Sequence, residues 1–138
     1  MNESAFIDSN VWIYLLVAGQ DPQKRITARA LIEGKRFFIS TQVIGEVCVS
    51  LLRKGAMAEH EVRGSISSFY RNHSVMTIDQ QTLLSASDLR IRHSLSFWDS
   101  LIVASALQSG AQILYSEDMQ HSLVVDGRLR IVNPFRQD

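Results

Sequence analysis

The chain has 138 residues, 46% of them apolar and 20% charged, a composition that predicts one globular domain over 1–138 and excludes a disordered or low-complexity polymer. Fourteen Lys plus Arg balance fourteen Asp plus Glu, so no overall basic field exists to coat nucleic acid, and any such attraction must be local. Cys48 is the only cysteine, and His60, His73, His93 and His121 form no i, i+3 or i, i+4 pair, which excludes an internal disulfide and a multi-cysteine or paired-histidine zinc site and predicts a reducing, cytoplasmic setting.

The chain opens Met1-Asn2-Glu3 with no basic leader, and its longest apolar run, 11–18, is far short of the ~20 residues a membrane span needs, so no membrane partner is expected. Residues 4–7 read as a buried strand ending at Asp8, and 11–18 as a buried helix broken by Gly19 and Pro22. Ile26, Ala30 and Leu31 predict the apolar face of a second helix that stops near Gly34, and Phe37-Phe38-Ile39 a second strand. Ile44, Val47, Cys48, Leu51 and Leu52 follow helical spacing with Glu46 off the stripe, and Cys48 reads as a small buried hydrophobe.

Val62, Ile66, Phe69 and Tyr70 predict a further amphipathic helix, and residues 75–78 a third strand. Asp79 is placed to cap a helix carrying Leu83, Leu84, Ile91 and Leu95. Residues 96–107 are apolar on almost every side, as a central helix covered by other elements would be, and Gly110 ends them. A fourth strand at 112–115 leads to Ser116-Glu117-Asp118, and Arg130-Ile131-Val132 suits a short fifth. Trp12, Tyr14, Trp98, Phe37 and Phe38 sit within apolar runs and read as core aromatics.

Alternating strands and helices predict a mainly parallel sheet covered on both faces, with ligands at the carboxyl ends of the strands. Asp8 and Asp118 follow strands, and Glu46 and Asp99 lie early in helices, so the usual crossover hand brings all four to one rim. Each has a local explanation: Asp8 as a helix cap, Ser96-x-x-Asp99 as a capping box, Glu117 and Asp118 as turn acids, Glu46 as a solvated charge. Their joint occurrence carries the inference. Two carboxylates ~4 Å apart at an effective dielectric of ~20 repel by about 4 kcal/mol, which a hard divalent ion such as Mg²⁺ or Mn²⁺ relieves. Such an ion suits attack of water on a phosphodiester.

Four blocks carry a resemblance to a known family: Phe6-Ile7-Asp8-Ser9-Asn10-Val11, Ser40-Thr41-Gln42-Val43-Ile44-Gly45-Glu46, Phe97-Trp98-Asp99-Ser100-Leu101-Ile102-Val103-Ala104-Ser105-Ala106 and Ile113-Leu114-Tyr115-Ser116-Glu117-Asp118-Met119. In order and spacing they resemble the PIN domain, and within it the VapC-type toxins of toxin–antitoxin pairs, over nearly the whole chain. The resemblance implies a three-layer α/β/α sandwich with a mainly parallel central sheet, and an Mg²⁺- or Mn²⁺-dependent endoribonuclease. It implies that Asp8, Glu46, Asp99 and Asp118 hold the metal or position water, supported by Asn10 and Ser116. A homodimer and an antitoxin protein are the implied partners beside RNA.

Glu117 beside Asp118 leaves open which carboxylate turns inward. Among the cations Lys24, Arg25, Arg29, Lys35, Arg36, Arg53, Lys54, Arg90 and Arg92, the pair Arg53 and Lys54 is the candidate for RNA phosphates, because it extends the helix of Glu46. Two other classes compete. A haloacid-dehalogenase-like phosphohydrolase would use Asp8 as nucleophile but needs an acid where Asn10 stands, and a non-catalytic RNA- or protein-binding domain would carry the same acids without cleavage.

Overall fold

A computed structural model describes residues 3–137, so Met1 and Asn2 of the expected leaderless start, and Asp138, lie outside the described residues. The elements run β1 (Ala5–Ile7), α1 (Ser9–Leu16), α2 (Pro22–Ile32), β2 (Phe38–Ser40), α3 (Thr41–Arg53), α4 (Glu59–Asn72), β3 (Ser74–Met76), α5 (Gln80–Arg92), α6 (Phe97–Ser109), β4 (Ile113–Tyr115), β5 (Val124–Val125) and β6 (Leu129–Val132). The sheet order is β3-β2-β1-β4-β6-β5, parallel throughout except for the β5–β6 pair. This is a mixed α/β fold, as predicted.

The strand order explains the layers. From β1 the chain steps outward to β2 and β3, then returns across the sheet to place β4 on the other side of β1. Right-handed crossovers put α1 to α4 on one face and α5 and α6 on the other. The reversal falls between β1 and β4, and the crevice beyond the carboxyl ends of those two strands is where an α/β sheet binds ligands. Register sets what meets there. Ile7 pairs with Tyr115, so Asp8 and Ser116 emerge side by side, and the Asp8 amide donates to Tyr115 O at 3.0 Å.

The core follows the strand pattern: Phe6, Ile7, Ile39, Leu114 and Ile131 are fully buried, and β1 is covered on both faces. In α6 every residue from Ser100 to Leu107 is buried, the covered helix its composition predicts. Gly110 ends it at φ 79°, a left-handed conformation that a side chain would strain.

Several predicted faces are corrected. In α2 the buried residues are Ala28 and Ile32, while Ile26 and Ala30 are exposed. In α5 the buried stripe is Thr82, Ala86 and Leu89, and Leu83, Leu84 and Ile91 face solvent. Small Ala86 suits close packing on α6, and the Thr82 hydroxyl is satisfied by Gln108 Oε1 at 2.7 Å, so bulk was the wrong guide. Leu52 and Tyr70 are exposed, and Cys48 is half-buried against the core. Trp98 is 61% exposed, against the expectation of a core aromatic. The β5–β6 hairpin was not predicted, although Asp126 and Gly127, both at positive φ, form the Asp-Gly turn that signals one. No helix among the described residues is long and apolar enough to cross a membrane.

Candidate active site

Asp8 is the N-cap of α1, and it does more than cap. Its Oδ1 accepts from the Ser9 amide at 2.7 Å, and its Oδ2 accepts from the Ser116 hydroxyl at 2.9 Å. It is only 4% exposed. Burial pushes its carboxyl up to about 6; the two hydrogen bonds oppose this, and the charges of Glu46 and Asp99 add to it.

Glu46 projects from α3, whose start is fixed by the buried Ser40 hydroxyl accepting from Val43 N at 3.3 Å. Burial raises its carboxyl above the usual range; Ser9 and Gln42 offset part of this, and Asp99 and Asp118 repel it further. Its Oε1 is buried with no hydrogen-bond partner. An orphaned carboxylate oxygen is costly in a folded interior, and its position among other acids suits a cation.

Asp99 lies in the first turn of α6. The expected capping box is half made: the Ser96 hydroxyl accepts from the Asp99 amide at 3.1 Å, and Ser96 itself is the cap. Asp99 adds repulsion to Asp8, Glu46 and Asp118 alike. Asp118 follows β4 on an exposed loop, where its Oδ2 accepts from the Asn10 amide at 2.5 Å. Burial, then Glu117 and Asp99, raise its carboxyl, while Asn10 and Lys24 pull it down.

All four predicted acids therefore share one electrostatic field, and Asn10 and Ser116 each hold one of them. Among the described residues no trio of His, Cys, Asp or Glu is drawn together into a finished metal cage. The donor set nevertheless fits a hard divalent ion. It is all oxygen, three of its acids are held above their ordinary range, and one buried oxygen lacks a partner.

Glu117 turns away from this group, since its oxygens take the Tyr14 hydroxyl at 2.8 Å and the Lys24 ammonium at 2.5 Å. Sequence reasoning read Tyr14 as a core aromatic and Lys24 as one of several candidate cations, and missed both as partners of Glu117, because partners 103 and 93 residues away leave no local pattern. Ser9 and Gln42 also went unassigned, although both lie inside the motif blocks. Arg53 and Lys54 are exposed at the far end of α3, with Arg53 seven residues past Glu46, roughly 10 Å along the axis. Arg36, Arg90 and Arg92 are engaged with protein acceptors.

The fold has close structural counterparts. A toxin–antitoxin complex from Klebsiella pneumoniae superposes with a TM-score of 0.72 at 20% identity, covering 97% of this chain and 100% of that one. VapC20 of Mycobacterium tuberculosis, described as a toxin that cleaves the sarcin–ricin loop, gives 0.66 at 25% identity over 83% of this chain and 90% of its own. A DNA-bound VapBC from Salmonella typhimurium gives 0.64 at 15% identity over 94% and 98%. No curated protein matches the chain significantly in sequence. The PIN domain family model matches residues 5–125, which takes in all four acids, both of their hydrogen-bonding supports and every strand from β1 to β5. By that match the chain belongs to the PIN domain family.

Proposed function

We propose that this PIN domain is a divalent-cation-dependent endoribonuclease and the toxin of a toxin–antitoxin pair. The observation that supports the reading is the electrostatic coupling of Asp8, Glu46, Asp99 and Asp118, which come from four elements, with Glu46 Oε1 buried and unpartnered. The likeness to VapC20, an RNA-cleaving toxin by its description, supports the substrate class.

In this reading the four carboxylates hold Mg²⁺ or Mn²⁺. The ion supplies charge neutralisation at a phosphoryl group and makes water more acidic. Ser116 and the Ser9 amide orient Asp8, and Asn10 orients Asp118. The Lys24 and Tyr14 contacts keep Glu117 aside, so that Asp118 is the carboxylate presented. Arg53 and Lys54 contact phosphates that flank the cut. Asn10 also disfavours the phosphohydrolase reading, because its amide donates to Asp118 where that chemistry needs a proton-carrying acid.

Solved complexes of similar chains contain antitoxins and DNA, which supports an antitoxin as the regulatory partner, with a homodimer and a cytoplasmic setting expected alongside it. The test is cleavage of single-stranded and structured RNAs with Mg²⁺, with Mn²⁺ and with a chelator. Asp8→Asn and Asp99→Asn should each lower the rate by at least about 100-fold while the variants remain folded. Undiminished cleavage by either variant rejects the ligand assignment.

A further inference from the structure

The first turn of α6 carries two aromatic side chains that the fold does not bury. Phe97 is 47% exposed and Trp98 61% exposed, although every residue from Ser100 to Leu107 of the same helix is buried. Their rings meet edge to face, with centroids 5.0 Å apart at 80°. The next residue is Asp99.

This pair is held in place. The Arg90 guanidinium lies 4.6 Å from the Phe97 ring centroid and donates to the Ser100 hydroxyl at 2.6 Å, which ties the ring to the helix below it. On the other side the Gln42 amide, from the helix that carries Glu46, donates to Trp98 O at 3.3 Å. The backbone that presents the indole is thus joined to both acid-bearing helices. A large apolar ring left exposed one residue from Asp99 is an unusual use of tryptophan unless something covers it.

We propose that Trp98 is a stacking platform for a nucleobase of the RNA substrate, next to the scissile phosphate, with Phe97 and Arg90 as its buttress. The inference rests on the ribonuclease reading and names how that site holds its substrate. With a formal net charge of zero the chain has no bulk electrostatic attraction for RNA, and the four acids repel it. Binding must then draw on contacts other than charge. Base–aromatic stacking supplies such a contact and tolerates any sequence, because every base has a π-face. A neighbouring guanidinium adds a cation at the same place.

The chain has two tryptophans, and Trp12 is 3% exposed, so quenching of tryptophan emission by RNA reports Trp98. Protein in chelator, which prevents cleavage, is titrated with a single-stranded ribo-oligonucleotide and with an abasic oligomer of equal charge. The base-bearing strand should quench, and the abasic strand should not. Trp98→Ala should weaken binding about 5- to 150-fold, while Trp98→Phe retains most of it. In cleavage assays with Mg²⁺ or Mn²⁺ the alanine change should raise KM with kcat little altered.

Equal quenching by both strands, or an unchanged KM for Trp98→Ala, overturns the proposal. So does an emission shift that follows protein concentration without RNA, which would show a second copy covering the ring. Cleavage without base-dependent quenching sinks the platform and leaves the nuclease standing. Base-dependent quenching without cleavage under any cation does the reverse.

Discussion

Asp8 performs three tasks with one carboxylate: it caps α1, anchors Ser116 and lies within the field of two other acids. Its rise from an ordinary 3.8 to about 6 means that the folded chain holds the proton more tightly than the unfolded chain does. Stability therefore falls as pH climbs between those two values, and the loss is complete above the higher one. The rise corresponds to at most about 3 kcal/mol. Asp8→Asn removes the ionisation and keeps a capping side chain. In chelator at pH 7.5 this variant should be more stable to urea than the parent, by about 1–3 kcal/mol, with the advantage gone near pH 4. A less stable variant at pH 7.5 would mean that the charged form is held by contacts outweighing its burial.

Among the elements, α5 and α6 show what decides a buried face. Both are packed together, yet α6 hides a continuous run of residues and α5 only Thr82, Ala86 and Leu89. Leu89→Ala should cost about 2–5 kcal/mol, as for a filled core position, whereas Ile91→Lys, at a side chain 82% exposed, should change stability by less than about 0.5 kcal/mol. Thermal or urea unfolding of the two variants checks the assignment, and comparable losses would contradict it. Strand and helix order was legible because the short apolar runs at 4–7, 37–39 and 112–115 are separated by helical periodicity and stop signals. The α5 face was not legible, because a threonine satisfied by Gln108 and a small alanine outcompete leucines for a tightly packed surface. Trp98 was misread for a related reason. An apolar run marks a covered helix, but the first turn of α6 projects beyond its cover.

At the scale of the molecule, topology brings the acids into one electrostatic field. That coupling was legible because the strand-end rule acts on the element pattern alone, whereas the Tyr14–Glu117–Lys24 network depends on loop geometry that no spacing encodes. The family resemblance located the same four blocks, and the structure shows what each support touches. Relief of the shared repulsion should be measurable as folding free energy. Mn²⁺ at 100 times its dissociation constant should stabilise the parent by about 2.7 kcal/mol, visible as a rise of several degrees in Tm. Asp8→Asn and Asp99→Asn should lose most of that rise. Equal stabilisation of parent and both variants would place the ion elsewhere.

The central position of β1 has a temporal consequence. Asn10 and Asp118 are 108 residues apart, and β1 gains its β4 neighbour only when residues 113–115 are available to dock beside it. A nascent chain still lacking its last third holds Asp8 without Ser116 and leaves Asn10 with no carboxylate to orient. The hydrogen-bonded arrangement around Asp8 and Asn10 is therefore among the last parts of the fold that a chain leaving the ribosome can complete.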